Sequence, residues 1–249
     1  MHWNWVVAER SLIGFLEALD ESKWEIDLFL LRQEGELMDA IPDKVHLLPQ
    51  KAEYTVLAHP MKATLKEGHV LLTMARLYGK TAAVIYDHKH NYRDSDVNLE
   101  YSYKYTSPFM PRIQPQKEYD LAVSFLTPHY IVTKKVNAKK KIAWIHTDYS
   151  QVQIDILSET KCGRHMIISH LSQRQLQRFL KKFPTLKNRI ILIKIFAGTA
   201  HQKTGRKFFG GKRNECIGDK ICQLAGSAML KILIMCRISV GKSGRMDWK

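Results

Sequence analysis

The chain has 249 residues, 45% of them hydrophobic, and a formal charge of +15 at pH 7. That size and composition describe a globular protein able to bury a sizeable core in one large domain or two small ones. No stretch reaches the roughly 20 apolar residues of a membrane span, and the N-terminus lacks the basic start and apolar core of a secretory signal, so a cytoplasmic address is expected.

Charge is unevenly spread. From Lys194 to Lys249 there are twelve Lys and Arg against three Asp and Glu, so +9 of the +15 sits in that tail. The rest is an ordinary surface with a mild basic bias, which does not favour a nucleic-acid partner. Four cysteines (Cys162, Cys216, Cys222 and Cys236) form no C-x-x-C pair, and the spacing of Cys216 and Cys222 suits no common zinc site. Free thiols in a reducing compartment are expected.

In chain order, Ala8 to Leu19 places Leu12, Phe15, Leu16 and Leu19 at helical spacing, and Asp20, Glu21 and Ser22 end the helix. Trp24 to Leu31 is a buried strand and Val45 to Pro49 a second, shorter one. Met61 to Tyr78 is helical by its three-and-four spacing. The tyrosine-rich segment from Tyr86 to Gln116 has weak periodicity and is expected to be loop or irregular helix. The clearest order follows: a strand over Tyr119 to Leu126, a short helix over Pro128 to Val136, and a strand over Lys140 to His146. A helix capped by Thr147 or Asp148 comes next, then a strand at Met166 to Ser169, a helix stopped by Pro184, and a strand from Arg189 to Ile193. Alternation of strand and helix predicts an α/β fold with a Rossmann-like, doubly wound parallel sheet covered by helices on both faces. Ligands of such sheets sit beyond the carboxyl ends of strands, where His146, Thr147 and Asp148 fall.

The stretches AERSLIGFLEALDESKWEIDLFLL, EYDLAVSFLTPHYIV, KKIAWIHTDYS and FLKKFPTLKNRIILI resemble the N-terminal half of bacterial family 4 glycosyltransferases of GT-B architecture. The likeness runs from about Ala8 to Ile193. It implies an N-terminal, acceptor-binding Rossmann-like domain at residues 8–193, facing a donor domain across a cleft. The implied activity is hexosyl transfer from a nucleotide-sugar to a glycan or lipid-linked acceptor, as in polysaccharide biosynthesis. No covalent cofactor and no metal are implied; the nucleotide-sugar is a co-substrate.

Two family features are absent where the resemblance would put them. A first strand and a glycine-rich turn should precede Ala8-Glu9-Arg10, and a second domain should follow Ile193. Written with plausible codons and read two nucleotides later, HWNWVV, KIFAGTAHQKTG and ICQLAGSAMLKILIMC each yield segments similar to the family. The chain is therefore read as truncated and frame-shifted at both ends, with 194–249 an irregular basic tail left from the donor domain. On that reading the chain alone is inactive, and the sheet, lacking its first strand, exposes an unpaired edge prone to aggregation.

His146 and Asp148 are the candidate catalytic residues. A strand-end histidine beside a carboxylate can position an acceptor hydroxyl or take its proton. The bland alternative makes Asp148 a helix cap and His146 a packing residue. By resemblance, Glu9 and Arg10 at the start of the first helix stand near the donor diphosphate, although Glu9 also suits the helix dipole. His129 is placed on the acceptor side, against an alternative as an exposed histidine at a helix start. Lys134, Lys135, Lys139, Lys140 and Lys141 could meet anionic lipid headgroups at the inner face of the membrane, or form a solvated loop. Gly241-Lys242-Ser243 is no phosphate loop, since Cys236 stands where the first glycine is needed. Two rival functions remain: nucleic-acid binding through the tail, including GRKFFGGKRNE at 205–215, or a Rossmann-type binding protein without transfer chemistry.

Overall fold

A computed structural model describes residues 3–34, 38–55, 57, 60–93, 95–125, 129–145, 148–170, 173–192 and 230–236. Helix α1 (Trp3–Ala18) leads into strand β1 (Trp24–Leu30), then β2 (Val45–Leu47) and α2 (Ala52–Thr55). Helices α3 (Met61–Lys66), α4 (Val70–His90) and α5 (Val97–Thr106) precede β3 (Tyr119–Phe125), α6 (Tyr130–Lys135) and β4 (Ala138–Ile145). The remaining elements are α7 (Ile156–Gly163), β5 (Ile167–His170), α8 (Gln173–Lys182), β6 (Ile190–Leu192) and β7 (Leu230–Cys236).

All seven strands join one parallel sheet in the order β2-β1-β7-β3-β4-β5-β6. This is the Rossmann-like α/β architecture expected from the alternating pattern. If β1 and β2 are counted as the second and third strands of such a fold, the position of the first is held by β7. The expected gap is thus filled, and by a piece of the tail expected to be irregular. Leu230–Cys236 pairs in register with all of β1 on one side and with Leu121 to Phe125 of β3 on the other. A parallel strand buried on both faces needs an unbroken apolar run, and LKILIMC supplies one apart from Lys231. Ile234 enters the core beneath α1 while Leu233 enters the core on the opposite face.

The α1 side is built around Phe15, whose ring centroid lies 5.0 Å from that of Trp144 and 6.2 Å from that of Phe125. On the other side Phe29, Tyr54, Tyr119, Ile131 and Val132 pack with Leu233. A third cluster joins Ile145, Tyr149 and Ile168 to Phe179 and Phe183 of the α8 region.

Three local expectations are corrected. No helix breaker separates Trp3 from Ala8, so α1 starts earlier than expected and Glu9 and Arg10 lie inside it rather than at its start. The helix expected over Met61 to Tyr78 is interrupted at Gly68, whose φ of +84° favours glycine, and resumes as α4 as far as His90. There Asn91 in the left-handed region closes the helix, its N–H reaching the carbonyls of Asp87 and His88. The tyrosine-rich segment is therefore ordered helix over much of its length, as the end of α4 and as α5. Gly79 permits this pairing of helices: a Cβ there would lie 2.9 Å from the carbonyl oxygen of Tyr101.

Candidate functional site at the carboxyl edge of the sheet

Strands β3 and β4 are neighbours and end at Phe125 and Ile145. His146 and Thr147, directly after β4, lie outside the described residues. Asp148 is described, and it caps no helix. Its Oδ1 accepts from the Ser150 N–H at 3.0 Å and from the Ser150 hydroxyl at 2.7 Å, closing an Asx turn. The other oxygen accepts from the Arg178 guanidinium of α8. Partial burial acts to raise its pKa, but Ser150 and Arg178 outweigh that and hold the carboxyl below its ordinary value. An aspartate so held is a weak proton acceptor at neutral pH and suits electrostatic positioning better than general-base work.

The cap of the following helix is Asp155. Its Oδ1 accepts from the N–H groups of Leu157 and Ser158, both at 3.1 Å, and Oδ2 accepts from the Tyr101 hydroxyl at 2.8 Å. Both TDYS and QIDILSE offer an aspartate ahead of a polar and apolar mixture. The turn chemistry of Asp148 with Ser150 decided which became the turn and which the cap.

His129 departs from the exposed position considered for it. It is 5% exposed, stands just before α6, and its Nδ1 lies 2.9 Å from the Ser124 hydroxyl of β3. Its backbone carbonyl accepts from both the N–H and the hydroxyl of Thr133. Below the strand ends, His129 shares a cavity of about 10 Å³ with Ile145, Tyr149, Glu159 and Phe179. That volume holds about one water molecule, so it is no sugar pocket. It does bring a histidine and a carboxyl to one apolar space.

Glu159 was not singled out from the sequence. Desolvation, then the negative charges of Glu100 and Asp155, raise its pKa to about 8. Glu100 is raised to about 7, first by desolvation and then by Asp155, with the Ser158 hydroxyl opposing. Tyr130 ties this region together: its hydroxyl lies 2.6 Å from Ser158 Oγ and 3.3 Å from Glu100 Oε1. A carboxyl that holds its proton near neutrality can donate it, and such groups concentrate at functional sites. Asp155 and Glu159 stand one helical turn apart at the start of α7, but Glu100 lies 55 residues from Asp155, so no local motif announces the trio.

Compared with known proteins, the chain matches no family model, no curated protein and no solved structure.

The remaining candidates are dispersed. Glu9 and Arg10 lie in the backbone of α1; their side chains are outside what the structure describes. The lysine cluster lies at the end of α6 and the start of β4, the opposite end of that strand from Asp148. Lys139 pairs with Asp120 at 2.7 Å, Lys141 donates to the Thr133 carbonyl at 2.7 Å, and Lys135 donates to the Pro108 carbonyl at 3.2 Å. Lys134 sits 5.4 Å from the centre of the Tyr130 ring, and Lys140 is exposed. Segment 205–215 and Gly241-Lys242-Ser243 are outside the described residues. Among the described residues no three His, Cys, Asp or Glu are arranged to hold a metal ion. Cys162 is a free, buried thiol whose pKa desolvation pushes up to about 12, which makes it inert.

A second polar constellation lies in the sheet. Asp27 of β1 is 2% exposed and accepts from Lys117 Nζ at 2.8 Å and from the Tyr119 hydroxyl at 2.5 Å, while its other oxygen lies 2.9 Å from His46 Nδ1. All of its partners are protein groups already in place, which marks it as a structural staple joining β1, β2 and β3.

Proposed function

We propose that the sheet carries the acceptor half of a sugar-transfer enzyme, similar to the family 4 glycosyltransferases of GT-B architecture. The reaction would move a hexosyl group from a nucleotide-sugar to a glycan or lipid-linked acceptor. The single observation that supports this most is that β4 ends at Ile145, directly before His146 in sequence, beside β3 and His129 in a Rossmann-type strand order. Ligands of such sheets collect at that edge.

In this reading His146 takes or steers the proton of the acceptor hydroxyl, and Asp148, held by Ser150 and Arg178, acts on it electrostatically. His129, held by Ser124, and the proton-bearing Glu159 maintain the wall beneath. GT-B chemistry needs a second domain to hold the donor diphosphate, and on the fragment reading the chain alone is expected to turn over no nucleotide-sugar. Lys140 and its neighbours remain the proposed contact with an anionic acceptor or inner membrane face.

A test joins the chain to the donor domain of a family 4 glycosyltransferase and assays transfer from a panel of nucleotide-sugars. Turnover by the fusion, reduced at least tenfold by His146→Ala and absent from the unfused chain, supports the reading; about 1.4 kcal/mol of barrier corresponds to each tenfold step. A folded but inert fusion, together with nucleotide binding by the unfused chain, favours the non-catalytic Rossmann-type alternative. Turnover by the unfused chain would remove the fragment reading.

A further inference from the structure

Helix α4 is amphipathic in an inverted sense. Its buried positions are Leu72, Ala75, Arg76, Gly79 and Ala83, all but Leu72 small or charged, with Arg76 reaching the Thr64 hydroxyl at 3.1 Å. Apart from Leu72, most of its large apolar side chains point outward: Leu71, Met74, Leu77, Tyr78, Val84 and Ile85 are between 53% and 69% exposed. They recur at three and four along the helix, forming a stripe over residues 70–85 about 24 Å long at the usual rise. Leu65 of α3 is also exposed, and a groove of about 520 Å³ lies between Met61 of α3 and Leu77, Val84 and Ile85 of the stripe. Monomeric proteins rarely leave so continuous an apolar surface without a use.

We propose that this face of α4 is a membrane-docking surface that seats in the interfacial layer of an anionic lipid bilayer. Charge selects the occupant. Lys80 lines the groove beside the stripe, Lys62 and Lys66 belong to the preceding α3, and His88, Lys89, His90 and Arg93 follow the end of the stripe in sequence. Only Glu67 and Asp87 oppose them over 61–93, and Asp87 accepts from the Ser95 hydroxyl. An apolar stripe rimmed by bases is the pattern of helices that lie in the headgroup region, with the bases drawn to anionic lipid. A second copy of the chain fits less well, because a two-fold contact across this stripe would set basic flank against basic flank. No described helix is long and apolar enough to cross a membrane, so α4 would lie in the surface rather than span it. This inference does not rest on the sugar-transfer reading, and neither outcome of the fusion assay bears on it.

The test is sedimentation of the full chain with vesicles of phosphatidylcholine alone and with phosphatidylglycerol added, at low salt and at 0.5 M salt (on the order of a 4 Å screening length). The chain is expected to bind the anionic vesicles and retain part of that binding at high salt. The variant L71Q/M74Q/I85Q, which keeps helix-forming residues, is expected to lose binding by about tenfold or more. M74Q alone should lose part of it, with an unchanged melting curve. K62E/K80E should lose the preference for the anionic vesicles. If the triple variant is folded and binds like the parent, the stripe is not the docking surface. If the parent ignores both vesicles and the triple variant instead converts a dimer to a monomer in sedimentation velocity, the face belongs to a second copy, and the proposal fails.

Discussion

Val123 of β3 and Ile234 of β7 lie side by side in register on neighbouring parallel strands, although β3 opens the second half of the sheet and β7 comes last among the described strands. Ile234 is fully buried, as is Leu233, which faces the other way. The apolar run near the end of the sequence therefore contributes to both hydrophobic cores at the centre of the fold.

Replacing either residue should be costly. Ile234→Ala and Leu233→Ala are each expected to lower the unfolding free energy by about 2–5 kcal/mol, read from equilibrium urea unfolding. Removal of 225–249 should abolish a cooperative transition. An irregular tail would show neither effect.

Asp27 tests the staple within the sheet. Burial alone would raise its pKa, but Lys117, Tyr119 and His46 together bring it below the ordinary 3.8. A carboxyl lowered in the folded state contributes stability that is present above 3.8 and is lost as the pH falls through its lower folded value. Asp27→Asn should cost about 2 kcal/mol at pH 7, and the gap from wild type should close below about pH 3.8. Unfolding curves between pH 2 and 7 check this.

Glu159 predicts the opposite slope. With its pKa raised from 4.5 to about 8, the protein is most favoured, as far as this group goes, below pH 4.5, and loses stability as the pH rises through about 8. Glu159→Gln should match wild type at pH 4.5 and be the more stable of the two at pH 9, in parallel denaturation series.

Asp155→Ala removes the cap of α7 and strands the Tyr101 hydroxyl. The expected loss is about 1–2 kcal/mol. Asp148→Ala, which undoes an exposed turn and a surface ion pair, should cost less than about 1 kcal/mol. Thermal melts of the two variants separate cap from turn.

Gly79→Ala gains helix propensity but drives a methyl to within 2.9 Å of a backbone oxygen. Because backbone cannot yield as a side chain can, a net loss of about 1–2 kcal/mol is expected. A melting temperature at or above that of wild type would show that α4 and α5 are free to separate.

The strands and their alternation with helices were legible in the sequence because buried parallel strands are written as unbroken apolar runs: WEIDLFL, YDLAVSF and KKIAWI announce themselves. The run at Leu230–Cys236 was just as apolar but was read as part of an irregular tail, and its place at the centre of the sheet was not legible, since pairing depends on residues far away in sequence. Helix α4 was half missed for a physical reason: beyond Leu72 its inner face is Ala, Gly and Arg and its outer face Leu, Met, Val and Ile, the reverse of the pattern that marks a buried surface. In α5 the tyrosines occupy buried and half-buried positions alike, which blurs the period. At the candidate site Asp148 and His129 stood out as residue types, whereas Glu159, Glu100 and Tyr130 acquire their chemistry only from burial and from one another.

The place of β7 also sets a timetable for synthesis. Ribosomes release chains from the N-terminus at about 5–20 residues per second, so β1 and β3 emerge well before the strand that must lie between them. Until Leu230–Cys236 arrives, the nascent sheet has two halves with no shared seam. The growing polypeptide is thus expected to complete the centre of its sheet last.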